Sequence, residues 1–305
     1  MTMSTYDIVF DIGGLHFRSG LIDERGVVSN QVTFDSPTHP EEFIEHIQRV
    51  VESYATMAAD PVIGIALGGM VEKNGLVTSG SMNMFDFPLA ERLNLRWPVT
   101  ILNDAKAAAL AEATYNARLA ERSSFLLLTH SMGIGGGIII NGVLYEGHTG
   151  TAGEIGHLII DERLDCYCRL GHRGCLDALA SGRALDNRLK KLWREGHWTQ
   201  YTKEVTIRDL RDLLAEGDGM AHILVREVGH WIGAGIMQIL RVLDPCEIVC
   251  KGYVATELWE YLEPHIAYVL SSYERTIPLS LSSLGENVGL IGAGIAAHRL
   301  HANIE

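Results

Sequence analysis

The sequence predicts an α/β protein with two sheets and a cleft between them. Three observations carry that expectation. Apolar strands alternate with helical stretches along the chain, and a strand–glycine–strand unit near the start recurs at residue 124. The 305 residues are also 47% hydrophobic and 21% charged, which supplies sizeable cores and excludes low-complexity disorder. At roughly 150 residues per domain, the length fits two domains. Residues 1–120 are expected to form a smaller α/β domain joined by a C-terminal helix at 289–305, and 121–288 a larger one.

Residues 6–22, YDIVFDIGGLHFRSGLI, read as two short strands joined at Gly13 and Gly14. Residues 124–145 repeat the plan around the turn from Gly133 to Gly137, the signature of an internal duplication. Between them the pattern predicts a helix over 40–59, a strand at 62–67, a loop and a strand at 99–102. An alanine-rich helix follows at 105–118. Beyond a loop rich in Gly and Cys come helices from 177 to 195 and a long helix at 222–243, whose apolar residues recur every three or four positions. A short strand at 247–249, a helix at 256–273 and a closing helix in VGLIGAGIAAHRL complete the order.

The charge is acidic: 25 Lys and Arg against 38 Asp and Glu, a net of −13 with histidine neutral. Such a surface repels phosphate backbones and argues against a nucleic-acid partner. A nucleotide would need a cradle of backbone amides or a metal ion. No apolar run approaches the roughly 20 residues of a membrane helix. MTMSTYDIVFDIGG lacks the basic and apolar regions of a secretion signal, so no membrane partner and a cytoplasmic location are expected.

Two glycine hairpins facing one cleft would offer N–H groups to phosphate oxygens, because glycine lets a ligand approach the backbone. Taken singly, Gly13-Gly14 and Gly135-Gly136-Gly137 read as simple turns; as a pair preceded by Asp11, they read equally well as a phosphate cradle. Asn103-Asp104 stands where a buried strand ends and a helix begins, the usual edge for ligand chemistry in α/β sheets. Asp104 there suits a base that takes a proton from a substrate hydroxyl attacking phosphorus, and Asn103 suits a polyol ligand. As an N-cap of the following helix, Asp104 would be structural instead. Both readings stand at this point.

His157, Cys166, Cys168 and Cys175 form His-x8-Cys-x-Cys-x6-Cys, a closed set that suits structural zinc in a polar loop. Glu154 lies three residues before His157, so on a helical turn both point the same way and the metal would fix Glu154 beside it. Cys246 and Cys250 flank an apolar strand and read as inert core residues.

With these motifs in view, the chain resembles the ROK family of bacterial sugar kinases and related repressors, from Asp11 to the C-terminal helix. The most specific pieces are Gly-Glu154-Ile-Gly-His157, Cys166-Tyr-Cys168 to Gly174-Cys175-Leu-Asp177, and Ala-Ser181-Gly182. The resemblance implies a two-domain actin-like (ribonuclease H-like) ATPase fold with sugar and ATP in the cleft. It implies Asp104 as catalytic base, usually toward a sugar 6-OH. Gly69, Asn83, Asn103, Glu154, His157 and Asp177 are implied as sugar-contacting positions, and Asp11, Gly13, Gly14, Gly133, Gly135, Gly136 and Gly252 as nucleotide-contacting ones. MgATP as donor, one structural Zn2+ and a homodimer are implied likewise.

Several positions depart from the family's pattern. Leu15 and His16 follow Gly14 where the kinases usually read Thr-Lys, Met132 precedes Gly133 where Thr is usual, and Lys251 precedes Gly252. Asp177 replaces a usual glutamate. Loss of two phosphate-contacting hydroxyls is expected to weaken ATP use by about two to four orders of magnitude. The expected function is therefore a hexose or N-acylhexosamine kinase. The alternative is a sugar-binding regulator on the same fold with weak or no kinase activity and no DNA-binding segment.

Overall fold

A computed structural model describes residues 6–14, 16–58, 60–119 and 124–304, so Leu15 lies outside the described residues. The chain begins with β1 (Asp7–Ile12), β2 (His16–Ile22), β3 (Val28–Asp35) and α1 (Pro40–Tyr54). There follow β4 (Ile63–Leu67), β5 (Met70–Val71), β6 (Val77–Ser79), β7 (Met84–Phe87), α2 (Leu89–Leu93), β8 (Val99–Asn103) and α3 (Asp104–Tyr115). Next come β9 (Ser124–His130), β10 (Ile134–Ile140), β11 (Val143–Leu144), α4 (Leu176–Ala180) and α5 (Gly182–Arg194). The chain continues through α6 (Ile207–Ala215), α7 (Gly219–Leu243), β12 (Ile248–Lys251), α8 (Tyr253–Leu270), β13 (Leu279–Leu281) and α9 (Val288–Ile304).

Two compact units result. One comprises Met1–Ser123, Gly137–Gly153 and Ser283–Glu305, the other Ser124–Gly136 and Glu154–Ser282. Residues 137–153, expected with the larger domain, belong by their contacts to the first unit. Lys73 N–H donates to Thr149 O at 2.8 Å, and the Lys106 ammonium donates to Gly150 O. Gly137 also lies so close to α3 that a Cβ would fall 2.5 Å from Ala105 O.

In the first unit the sheet order is β3-β2-β1-β4-β8. β1 pairs antiparallel with β2, while β1, β4 and β8 run parallel in a register that levels Ile12, Leu67 and Asn103. The loops leaving all three strands therefore emerge at one edge. Phe10, Phe17 and Phe43 are fully buried between sheet and α1, with Phe17 edge-on to the other two at 5.6 and 6.0 Å. α9 covers the opposite face beside α3, where a Cβ on Gly292 would meet Ala107 O at 1.8 Å. The loop expected between 67 and 99 instead holds a small sheet, β5-β6-β7, and α2. These strands are two to four residues long, too short to show a period.

The second five-stranded sheet runs β11-β10-β9-β12-β13, with β12 parallel to both β9 and β13. The helices expected over 177–195 are α4 and α5, divided where Ser181 turns extended and caps α5 through Ala184 N–H at 3.3 Å. α8 starts three residues earlier than expected, at Tyr253, with Gly252 as its N-cap. Among the described residues no helix is long and apolar enough to cross a membrane.

Candidate active site

In the first unit, the residue after each parallel strand matters. Asn103 ends β8 and caps α3: its Oδ1 accepts from Ala105 and Lys106 N–H at 3.0 and 3.1 Å. Its Nδ2 donates to Gly69 O at 2.9 Å, which leaves one amide hydrogen for a ligand. The cap is therefore Asn103 and not Asp104. Asp104 is the first helical residue, half-buried, with Oδ1 accepting from Ala105 N–H at 2.8 Å.

Gly68 lies beside that carboxylate; a Cβ there would come within 3.7 Å of Asp104 Oδ2 and 3.3 Å of Ile12 O. Gly69 must be glycine for a different reason, since a Cβ would strike Thr78 O and Ser79 Cβ at 2.8 Å. Ser79 Oγ donates to Gly68 O at 2.7 Å and meets Ser81 Oγ at 3.1 Å, and Ser81 packs against Gly14. These serines hold the glycine loops beside Asp104, although no motif marks them in the sequence. Asn83 is exposed in the β6–β7 turn with a left-handed φ of 54°.

The β1–β2 turn is closed by Gly13 N–H donating to His16 O at 2.9 Å, and Ser36 Oγ donates to Gly13 O at 2.6 Å. Neither Gly13 nor Gly14 has a positive φ, so both serve by their small size. Asp11 is buried; its Oδ2 accepts from Arg18 Nη2 at 2.7 Å, and Arg18 Nη1 donates to Glu286 O. Asp11 and Arg18 face each other across the hairpin, a pairing that alternation along the strand does not reveal because it does not set the register.

In the second unit, Asp177 is buried and its Oδ1 accepts from Ile134 N–H at 2.9 Å. Burial raises its carboxyl above the ordinary range, opposed by the Ile134 bond, His157, Arg183 and Arg169. Gly133 adjoins the same oxygen, and a Cβ there would lie 3.3 Å away. The 131–133 turn is further gripped by Gly182 and Arg183 N–H, which donate to the carbonyls of Ser131 and half-buried Met132. Gly135 N–H donates to Thr129 Oγ1 at 3.0 Å, and Gly136 is buried in β10. At the end of β12, Lys251 is half-buried and Gly252 has a φ of 109°, with His130 O filling the space a Cβ would need.

Glu154 and His157 sit on one 3-10 turn, and His157 N–H donates to Glu154 O at 3.1 Å. The side chains do point the same way: His157 Nε2 is 4.0 Å from Glu154 Oε2. The other ring nitrogen, Nδ1, faces Cys168 Sγ at 3.8 Å. Burial lowers the His157 pKa, which favours the neutral ring a metal needs. The donor atoms of His157, Cys168 and Cys175 all lie within 4.8 Å of one another. Cys166 and His172 are both exposed, and neither is part of that set. Cys250 is buried, with its thiol pushed up to about 12, as suits an inert core residue; Cys246 is partly exposed.

The profile of the ROK family matches residues 8–299. The chain belongs to the ROK family. It is 30% identical over 316 residues to a glucokinase of Streptomyces coelicolor, covering 93% of this chain and 94% of that one. The crystal structure of a ROK family glucokinase from Streptomyces griseus, in complex with glucose and AMPPNP, superposes with a TM-score of 0.85 at 25% identity. That match covers 96% of this chain and 99% of the other. The DNA-binding transcriptional dual regulator NagC of Escherichia coli is 27% identical over 93% of this chain and 73% of its own length. The fold of this ROK chain is thus the actin-like, two-domain one that the resemblance implies.

Proposed function

We propose that this ROK chain is an ATP- and Mg2+-dependent kinase that phosphorylates a hydroxyl, the 6-OH, of a hexose or N-acylhexosamine. The carrying observation is Asp104, at the carboxyl end of β8 beside Gly68 and Gly69, in a chain similar to glucokinases over 93% of its length. The sugar hydroxyl oxygen attacks the γ-phosphorus in line, the bond from that phosphorus to its bridging oxygen breaks, and ADP leaves. Asp104 accepts the hydroxyl proton. Mg2+ bound with ATP would supply neutralisation of the charge that develops on the phosphoryl oxygens.

Gly69, Asn83, Asn103, Glu154, His157 and Asp177 are the proposed sugar positions. Of these, Asp177 reaches a ligand with Oδ2, since Oδ1 is engaged by Ile134. Asp11, Gly13, Gly14, Gly133, Gly135, Gly136 and Gly252 are the proposed nucleotide positions. Zinc fits the donor set of His157, Cys168 and Cys175, two sulfurs and an imidazole already clustered. Its role would be structural: held through Nδ1, the His157 ring would keep its proton on Nε2, which lies 4.0 Å from Glu154 Oε2. A cytoplasmic homodimer completes the proposal.

The test is an ATP-consumption screen across hexoses and N-acylhexosamines, with calorimetry for binding. Turnover with one or more sugars supports the kinase. Hexose binding without nucleotide binding or phosphorylation overturns it in favour of a sugar-binding regulator.

A further inference from the structure

We infer that His172, and not Cys166, is the fourth metal ligand in this chain, so that the site is a set of two thiolates and two imidazoles. The inference rests on the metal reading above and deepens it. Its ground is the short hairpin that carries both candidates. Tyr167 and Arg173 form an antiparallel bridge, Cys168 N–H donates to His172 O at 3.1 Å, and Gly174 N–H donates to Cys166 O at 2.9 Å. Cys168 therefore stands opposite His172, and Cys166 opposite Gly174.

Residues opposite each other in an antiparallel pair have Cβ atoms about 4.5–5.5 Å apart, whereas positions i and i+2 along an extended strand lie about 6.5 Å apart. A tetrahedral zinc with Zn–S of about 2.3 Å and Zn–N of about 2.0–2.1 Å sets its sulfur and nitrogen ligands about 3.5 Å apart. Cys168 Sγ lies 3.6 Å from His172 Nδ1 and 3.8 Å from His157 Nδ1. Both imidazoles thus present a nitrogen to one sulfur at the separation of ligands sharing a zinc. Their ring centroids are 4.7 Å apart.

Cys166 stands across the hairpin from Gly174. The backbone opposite it at Gly174 is held against Asp161: a Cβ on Gly174 would fall 2.0 Å from Asp161 O. Gly174 O also accepts from Ile160 and Asp161 N–H at 2.9 and 3.1 Å. Cys166 and His172 are both exposed, and of the two it is His172 that sets a donor atom 3.6 Å from Cys168 Sγ. Replacing a third thiolate by an imidazole changes the formal charge of the zinc site from minus one to zero. The spacing Cys-x-Cys is what misleads a reading from sequence alone, since any two of the three cysteines could ligate with either histidine.

The test uses full-length protein stripped by a chelator and titrated with cobalt(II), whose thiolate-to-metal charge-transfer absorption scales with the number of thiolates bound. Wild type is expected to bind one equivalent with two-thiolate intensity. Cys166→Ser should leave stoichiometry, spectrum and zinc affinity unchanged. His172→Ala should weaken zinc affinity by about 100-fold or more, since each ligand carries a share of the binding energy. His172→Cys should restore affinity and raise the intensity to that of three thiolates. Three-thiolate intensity in wild type, dropping in Cys166→Ser, overturns the assignment while leaving zinc in place. A wild-type protein that takes up no metal overturns the metal reading itself, and this assignment with it.

Discussion

Asn103 donates its side-chain amide to the carbonyl of Gly69 while capping the helix that begins with Asp104. One side chain thus fixes both the start of α3 and a glycine loop beside the candidate base. Asn103→Ala is expected to lower stability by about 1–2 kcal/mol, the range for a lost cap, and to raise the sugar KM more than it lowers kcat. Asn103→Ser restores a capping oxygen without reaching Gly69, so it should recover the stability and not the KM. Urea denaturation and steady-state kinetics on both variants measure this; KM recovery in the serine variant would sink the loop-positioning role.

With the cap assigned to Asn103, Asp104 is the first residue of α3, beside Gly68. Asp104→Asn should keep the fold and hold sugar affinity within a few-fold. Turnover should drop by about 10²–10⁴, the usual worth of a positioned base. Calorimetric sugar binding beside turnover separates the two, and a wild-type rate in this variant would remove the base from the mechanism.

Much of this was legible in the residues. Glycine, Asn-Asp and Glu-x-x-His motifs mark strand ends and turns, and those are where they lie. What escaped depends on register and on long-range contact. Arg18 is one of three polar residues in β2 until the hairpin sets it opposite Asp11. β3 is exposed from Asn30 to Asp35, so it shows none of the alternation that reveals a half-buried strand. Asn103 and Asp104 are both good capping residues, and only the extent of β8 decides between them. The cysteine spacing names a metal loop but not which donors converge.

Arg18 and Asp11 give a stability prediction. The Asp11 side chain is 8% exposed and that of Arg18 25%, so removing the arginine strands a nearly buried carboxylate against α9. Arg18→Ala should cost about 3 kcal/mol, within the range for breaking such a pair from one side. The double variant Arg18→Ala with Asp11→Asn should recover part of the loss, because the uncompensated charge is gone. Denaturant midpoints of the three variants form the cycle. A double variant less stable than Arg18→Ala would mean the arginine acts through packing alone.

Two histidines with opposite shifts should bend the stability curve on both sides of neutrality. His298 Nε2 lies 3.1 Å from Asp7 Oδ2, and that hydrogen bond raises its pKa above the ordinary 6.5, reinforced by the charges of Asp7, Glu24 and Asp23. The folded state holds this proton more tightly than the unfolded chain. Its stabilisation is full below about pH 6.5 and is lost as pH rises through the folded-state value. His130 is the reverse case: it is buried beneath Ala180 O, 2.8 Å from Nε2, and burial lowers its pKa to about 4. Below pH 6.5 the unfolded chain takes up a proton that the folded state refuses. Stability is therefore lost as pH falls from 6.5 toward 4, by up to about 1.4 kcal/mol per unit. Urea midpoints from pH 4.5 to 9 should show His298→Gln flattening the alkaline limb only. His130→Gln, whose amide nitrogen stands near the place of Nε2 and can still donate to Ala180 O, should flatten the acid limb only. An alkaline limb unchanged in the first variant would refute the Asp7 linkage, and an unchanged acid limb in the second would assign that limb to the carboxylates instead.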